Sequence, residues 1–246
     1  MQCLIRSELL KLRTVRGPWL LLAAGPVLVI AGISGLVVSG TSVHDPAAQA
    51  KALAHVGLTS IFTLLFGVVA VAGEYRHRTI TDTYLSTPER GRVLGAKLVV
   101  YAALAALAGV VSSLVGLAVA AAWWADKGAP FGWGDSAMWA TIGGGIAWNA
   151  IFAAIGVSAG ALIRNLVGAV AASLAWIALV EGVVGQLIGN LARWLPFYAG
   201  QALGAGGAAM LPEGLLPRLG ALVVLLGYAA IFALAALAVS VRRDVT

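Results

Sequence analysis

Apolar residues gather in six long runs, and polar residues are mostly confined to the gaps between them. The runs cover roughly residues 18–39, 53–73, 97–124, 137–163, 166–188 and 219–241. A hydrocarbon slab of about 30 Å asks for about 20 apolar residues per helix, and each run meets that length. The runs show no strand-like alternation, and lipid forces backbone groups to be satisfied within each segment. The pattern therefore predicts an all-α membrane protein, a single domain over residues 1–246 with six transmembrane helices.

Ahead of the first run, Leu4, Ile5, Leu9, Leu12 and Val15 recur at spacings of three and four, with Arg6, Lys11 and Arg13 off that stripe. Residues 1–16 thus read as an interfacial amphipathic helix, its cations at the headgroups and its leucines in the acyl boundary. The competing reading is a basic tail without fixed structure. Gly17-Pro18 ends the segment and turns the chain into the membrane.

Composition agrees with the pattern: 61% of residues are hydrophobic and 11% charged, against roughly 45–50% and 25% in soluble domains. A pI of 9.9 points first to nucleic acid, but the distribution of the cations points to membrane topology. With the N-terminus in the cytosol, Arg6, Lys11, Arg13, Arg16, Arg76, Arg78, Arg90, Arg92, Lys97, Arg164, Arg242 and Arg243 lie inside. Only Lys51, Lys127, Arg193 and Arg218 lie outside. That bias predicts cytoplasmic termini, in keeping with an even number of spans. The first apolar run exceeds the roughly 7–15 residues of a secretory signal, so it is read as a retained span. Cys3 is the single cysteine, which excludes an intrachain disulfide. His44, His55 and His77 fall on both sides of the membrane, so no metal site is expected.

Charge concentrates in one cytosolic connector, residues 74–97, EYRHRTITDTYLSTPERGRVLGAK. Thr79 with Asp82 is a weak capping-box pattern, and Thr87-Pro88-Glu89 supplies a cap, a proline at the first helical position and an acid in the first turn. A short helix over 79–86 is predicted, with the third membrane helix starting near Pro88. Ile80 and Tyr84, four apart, would share one face. So short a helix cannot stand alone, because nucleation is costly. Something must hold it: the headgroup surface, the protein's own helix ends, or a groove on a cytosolic partner. The alternative is a solvated loop whose arginines only set topology.

Elsewhere, Arg164-Asn165 is nearly the whole link between the fourth and fifth runs and requires a tight hairpin. Residues 189–218 form a longer outer segment whose clusters, Trp194-Leu195-Pro196-Phe197-Tyr198 and Met210-Leu211-Pro212, predict a loop that dips into the outer leaflet or caps the bundle. No phosphate-binding loop is present: Gly91 to Lys97 has the wrong spacing and runs into a membrane helix. Gly156-Val157-Ser158-Ala159-Gly160 matches G-x-S-x-G, as at the serine of intramembrane rhomboid proteases, but no histidine follows His77 to serve as base. Gly156 and Gly160 are better read as a small-residue surface for close helix packing. Glu181 is the one acid well inside a run, about 22 Å from its inner end by helix rise. Such a group wants a partner or a role. It either meets an outer vestibule and the long outer segment or takes part in passage of substrate.

Taken together, SELLKLRT, GEYRHRTI, LSTPERGRVLGAK, the RN hairpin and the terminal RRDV resemble the bacterial ABC type-2 permeases, membrane subunits of ABC exporters. The resemblance covers nearly the whole chain and is strongest over residues 3–16 and 73–97. It implies a multi-pass protein of the bacterial inner membrane, two copies of which pair as a homodimer and engage two copies of a separate cytosolic ABC ATPase. ATP and Mg would bind the ATPase, with no cofactor on this non-catalytic chain and no nucleic acid partner. It places the coupling helix on 79–86, with Thr79, Ile80, Asp82, Thr83, Tyr84 and Leu85 meeting the ATPase through the Ile80/Tyr84 face. Glu74, Arg76 and Arg78 would anchor the connector, Glu74 by pairing with a basic residue of the N-terminal helix. The expected cargo is hydrophobic or amphiphilic, a drug, lipid or peptide. The alternatives are a secondary carrier built as an inverted 3 + 3 repeat and a non-transporting scaffold or immunity protein.

Overall fold

The computed structural model describes residues 1–45, 47–205 and 214–242. Met210-Leu211-Pro212 and Arg243 lie outside them. The described chain is all helical. A short α1 (Gln2–Thr14) precedes the first long helix, α2 (Gly17–Val38), which starts at the predicted Gly-Pro turn. The second apolar run is built from three pieces, α3 (Ala48–Leu53), α4 (His55–Leu58) and α5 (Ser60–Arg76), followed by the connector helix α6 (Ile80–Ser86). Next come α7 (Arg90–Asp126), α8 (Ser136–Ile163) and α9 (Leu166–Ala175), which continues through a π-helical turn (Trp176–Glu181) into α10 (Gly182–Leu187). The short α11 (Gly189–Ala192), α12 (Pro196–Ala205) and the long α13 (Arg218–Arg242) complete it. Six of the resulting stretches are long and apolar enough to cross a membrane: Gly17–Val38, Ala48–Arg76, Arg90–Asp126, Ser136–Ile163, Leu166–Leu187 and Arg218–Ser240.

The second and fourth stretches form the centre of the bundle, and their faces α5 and α8 make its most extensive contact. Close approach is possible because the seam is glycine. A β-carbon on Gly67 would strike the Ala153 carbonyl oxygen, and one on Gly156 the Leu64 carbonyl oxygen. One on Gly160 would come within 2.8 Å of the Val68 carbonyl oxygen. Without side chains between them the two backbones pack directly, the arrangement small residues permit between membrane helices. Around this pair, α2 and α7 enclose an apolar cluster of Val29, Ile33, Leu53, Trp124 and Met138 at one end. At the opposite end Leu12, Phe66, Leu94, Tyr101, Val157 and Ala236 bring α1, α5, α7, α8 and α13 together. The fifth and sixth stretches bury few of their residues completely.

Several boundaries move relative to the apolar runs, each for a physical reason. The second helix begins near Ala48, before the run, because Gln49 is tucked in: it accepts from the Gly132 amide at 3.2 Å and donates to the Pro130 carbonyl at 3.5 Å. The interruption of this helix at Thr59, between α4 and α5, has a visible cause in the fourth helix. Asn149, fully buried, donates to the Val56 carbonyl at 3.0 Å and to the Gly145 carbonyl at 2.9 Å, while the Thr59 and Thr63 hydroxyls lie 2.9 and 3.3 Å from its Oδ1. A side chain that inserts beside the i→i−4 ladder and takes a freed carbonyl interrupts the ladder without leaving that carbonyl unsatisfied.

The third helix starts at Arg90, two residues past Pro88, and the predicted Thr87 cap is not formed. Thr87 is extended, and Glu89 is the capping residue, without a side-chain cap bond. Lys97 lies two turns inside α7 and is buried. Residues 189–205 are not a loop: α12 packs on α8 and α13, with Ala199 and Ala202 buried near Trp148. The Arg164-Asn165 hairpin is as tight as its length demands, with Arg164 at φ 56° and Asn165 accepting from the Gly168 amide at 2.8 Å to cap α9.

Candidate functional site

Four helices meet at the end of the bundle that carries α1 and α6, and what joins them is charge. Lys97 of α7 donates to Glu8 Oε2 of α1 at 2.7 Å, to Glu74 Oε1 of α5 at 2.8 Å and to the Ala70 carbonyl at 3.2 Å. Its three ammonium protons are thereby all used. Lys11 of α1 meets Glu8 Oε1 at 2.9 Å, Glu74 Oε1 at 2.7 Å and the Thr83 hydroxyl of α6 at 3.3 Å. Lys97 and Glu8 are almost fully buried, with side chains 2% and 3% exposed; Glu74 is 11% and Lys11 39% exposed. Two acids and two lysines make the cluster neutral, which is the condition for keeping such groups out of water. Burial pulls the Lys11 ammonium down, but hydrogen bonds and charge from Glu74 and Glu8 outweigh it and hold the group above the ordinary lysine range.

Glu74 thus pairs with the N-terminal helix through Lys11, and also reaches a partner that sequence reasoning missed. Glu8 and Lys97 carry little local signal. Glu8 sits among leucines in SELLKL and Lys97 at the edge of a basic connector, where each reads as an ordinary surface charge. The face that α1 turns toward the protein is not the whole predicted stripe. Glu8 and Leu12 are buried, whereas Leu9 is 41% exposed.

The other predicted connector residues separate. Arg76 is exposed, whereas Arg78 closes α5 through its backbone. At φ 58° it lets the Arg78 amide reach the Tyr75 carbonyl and the Thr79 amide the Glu74 carbonyl, a Schellman closure made without glycine. Thr79 precedes α6 but makes no side-chain cap bond, so the capping box with Asp82 is not formed; instead the Thr83 hydroxyl donates to the Thr79 carbonyl at 3.3 Å.

The expected outward face of Ile80 and Tyr84 is corrected. Ile80 is 2% exposed, turned into the protein because it is the one strongly apolar side chain at the start of α6. Tyr84 is half-buried beneath the Arg90 guanidinium, 5.2 Å from its ring centre, and its hydroxyl is held above the usual phenol range by burial and by neighbouring Tyr75. What α6 presents outward is Thr81, Asp82 and above all Leu85, which is 77% exposed.

Glu181 lies far along the fifth stretch, at the end of the π-helical turn, and is buried. Its carboxylate accepts from the Phe197 amide at 2.8 Å, the Tyr198 amide at 3.2 Å and Trp176 Nε1 at 3.1 Å. It therefore caps the first turn of α12, whose free N–H groups and dipole favour a negative charge. Beside it runs an apolar cavity of about 230 Å³ among the second, fourth, fifth and sixth stretches, walled by Phe152, Trp176, Tyr228 and Phe232.

No family model matches the chain, and no curated protein matches it. The class that the fold defines is a multi-span helical membrane protein.

Proposed function

We propose that the chain is the permease subunit of an ATP-driven exporter in a bacterial inner membrane, working as a dimer and driven by separate cytosolic ATPase subunits. The observation that carries this reading is the four-charge cluster. A helix of 7 residues is too short to persist alone, and Lys11 ties α6 through Thr83 to the ends of α5 and α7 and to α1. A displacement of α6 reaches the second and third spans and the interfacial helix together, as force transmission from an outside motor requires. The excess of cations at this end favours its placement in the cytosol. The aromatic-lined cavity suits a hydrophobic or amphiphilic cargo. Glu181 is spent on the α12 terminus, which weakens the secondary-carrier alternative, for which it was the one charge deep in a span.

The contact with the ATPase belongs to Leu85 and its neighbours Thr81 and Asp82. Leu85→Asp, expressed in the native host, is expected to lose the co-purifying nucleotide-binding subunit and ATP-dependent efflux while keeping its unfolding temperature. An ATPase retained in full, together with undiminished efflux, would overturn the assignment.

A further inference from the structure

Arg164 is placed at an energetic cost and is left with a nitrogen unused. It holds a left-handed backbone at φ 56° where glycine or asparagine would be cheaper. Its Nη2 donates to the Val239 carbonyl at 3.3 Å and its guanidinium lies over the Tyr75 ring at 5.6 Å, yet Nε is buried without a partner among the described residues. A buried N–H on a charged group calls for an acceptor. Arg164 faces a cavity of about 260 Å³ that it shares with Tyr75, Arg76, Asn165, Leu166 and Val167, among which there is no acid. Leu166 also lines the neighbouring cavity of about 590 Å³, whose apolar walls include Leu12, Val15, Pro18, Val69 and Ala70. Glu74 borders that second cavity, but Lys11 and Lys97 already neutralise it. A cationic cup thus adjoins an apolar cleft between α1, α2 and α5, at one end of the bundle.

We propose that these adjoining cavities bind one anionic phospholipid, its phosphate on Arg76 and Arg164 and its upper acyl chain in the cleft beneath α1. Guanidinium groups match phosphate oxygens in charge and geometry, and Arg76 and Arg164 line the same cavity. A zwitterionic choline head would bring its ammonium to a cup that holds two arginines and no carboxylate. The exporter proposal enters only in naming the leaflet as the cytoplasmic one.

The test uses the full chain in detergent with phosphatidylglycerol and phosphatidylcholine at equal concentration, read by native mass spectrometry. Wild type is expected to retain one phosphatidylglycerol in preference to phosphatidylcholine. Arg76→Gln, a change at an exposed helix end that leaves the fold intact, should cut that retention by about fivefold, the usual effect of one arginine on an anionic lipid surface. Arg164→Gln should do the same. A control, Arg6→Gln with Arg92→Gln, removes two exposed charges from the same end and should leave retention unchanged. Equal retention of the two lipids, or equal loss in the control, overturns the site. Thermal protection by millimolar inorganic phosphate as large as that by the lipid overturns the role of the cleft. No ATPase or flux enters the assay, so its failure and that of the exporter proposal are told apart.

Discussion

Replacing Lys97 with methionine tests whether the four-charge cluster holds α1, α5 and α7 together. Methionine keeps much of the length and removes three donors at once, those to Glu8 at 2.7 Å, Glu74 at 2.8 Å and the Ala70 carbonyl at 3.2 Å. Two nearly buried carboxylates are then left with Lys11 alone, itself 39% exposed and so partly screened. Removing one partner of a buried ion pair costs about 3–5 kcal/mol, because the surviving charge stays in low dielectric. For a chain of this size that corresponds to a fall of roughly 10 °C in the unfolding midpoint, measured by scanning fluorimetry in detergent.

Glu8→Gln alone should also destabilise. The double variant Glu8→Gln/Lys97→Met leaves a neutral Lys11–Glu74 pair, so its loss should fall short of the sum of the singles by about 2 kcal/mol. The pH profile adds a check on sign. Because the Lys11 ammonium is held above its usual 10.5, its contribution is complete below that value and is lost as pH rises through the raised value. Wild type should therefore lose stability in strongly alkaline solution more steeply than Lys11→Met. A Lys97→Met midpoint shift worth under about 1 kcal/mol, or strict additivity in the double variant, would refute the reasoning.

Two further substitutions probe the central pair of helices. Asn149→Leu takes one of the two donors from the Val56 carbonyl, leaving it the Thr59 hydroxyl at 2.7 Å, and removes the acceptor facing Thr59 and Thr63, so a loss of roughly 1–3 kcal/mol is expected in denaturant titration; Thr63→Val should cost distinctly less. Gly156→Ala forces a β-carbon into the Leu64 carbonyl and should destabilise by about 1–3 kcal/mol. Gly143→Ala in the same helix meets nothing within 4 Å and should be neutral or gain up to about 1 kcal/mol. Equal effects at the two glycines would show that the close seam does not limit packing.

The apolar runs, the glycine pair at 156 and 160 and the two-residue hairpin were legible because lipid imposes them locally. A span needs a certain length of apolar chain, and a link as short as Arg164-Asn165 permits one geometry. A short helix in the connector was also legible from its length and turn residues, and so was its need for support. Which face of it looks outward was not, because Ile80 and Leu85 are both apolar and only their neighbours decide which is covered.

Glu8 and Lys97 are 89 residues apart in the chain and neither has a local pattern that distinguishes it from a surface charge. Their pairing exists only because α1 folds back onto the ends of α5 and α7. The same holds for Asn149, whose amide matters through a carbonyl 93 residues away, and for Glu181, read as a lone acid in lipid until α12 brings its N-terminus to it. Hydrophobic length and turn chemistry are properties of neighbouring residues, so sequence alone determined the number of spans and the place of the connector. Neutralising buried charge and satisfying a freed carbonyl require partners distant in the chain, so the tertiary structure alone decided how the connector is held and which of its residues face out.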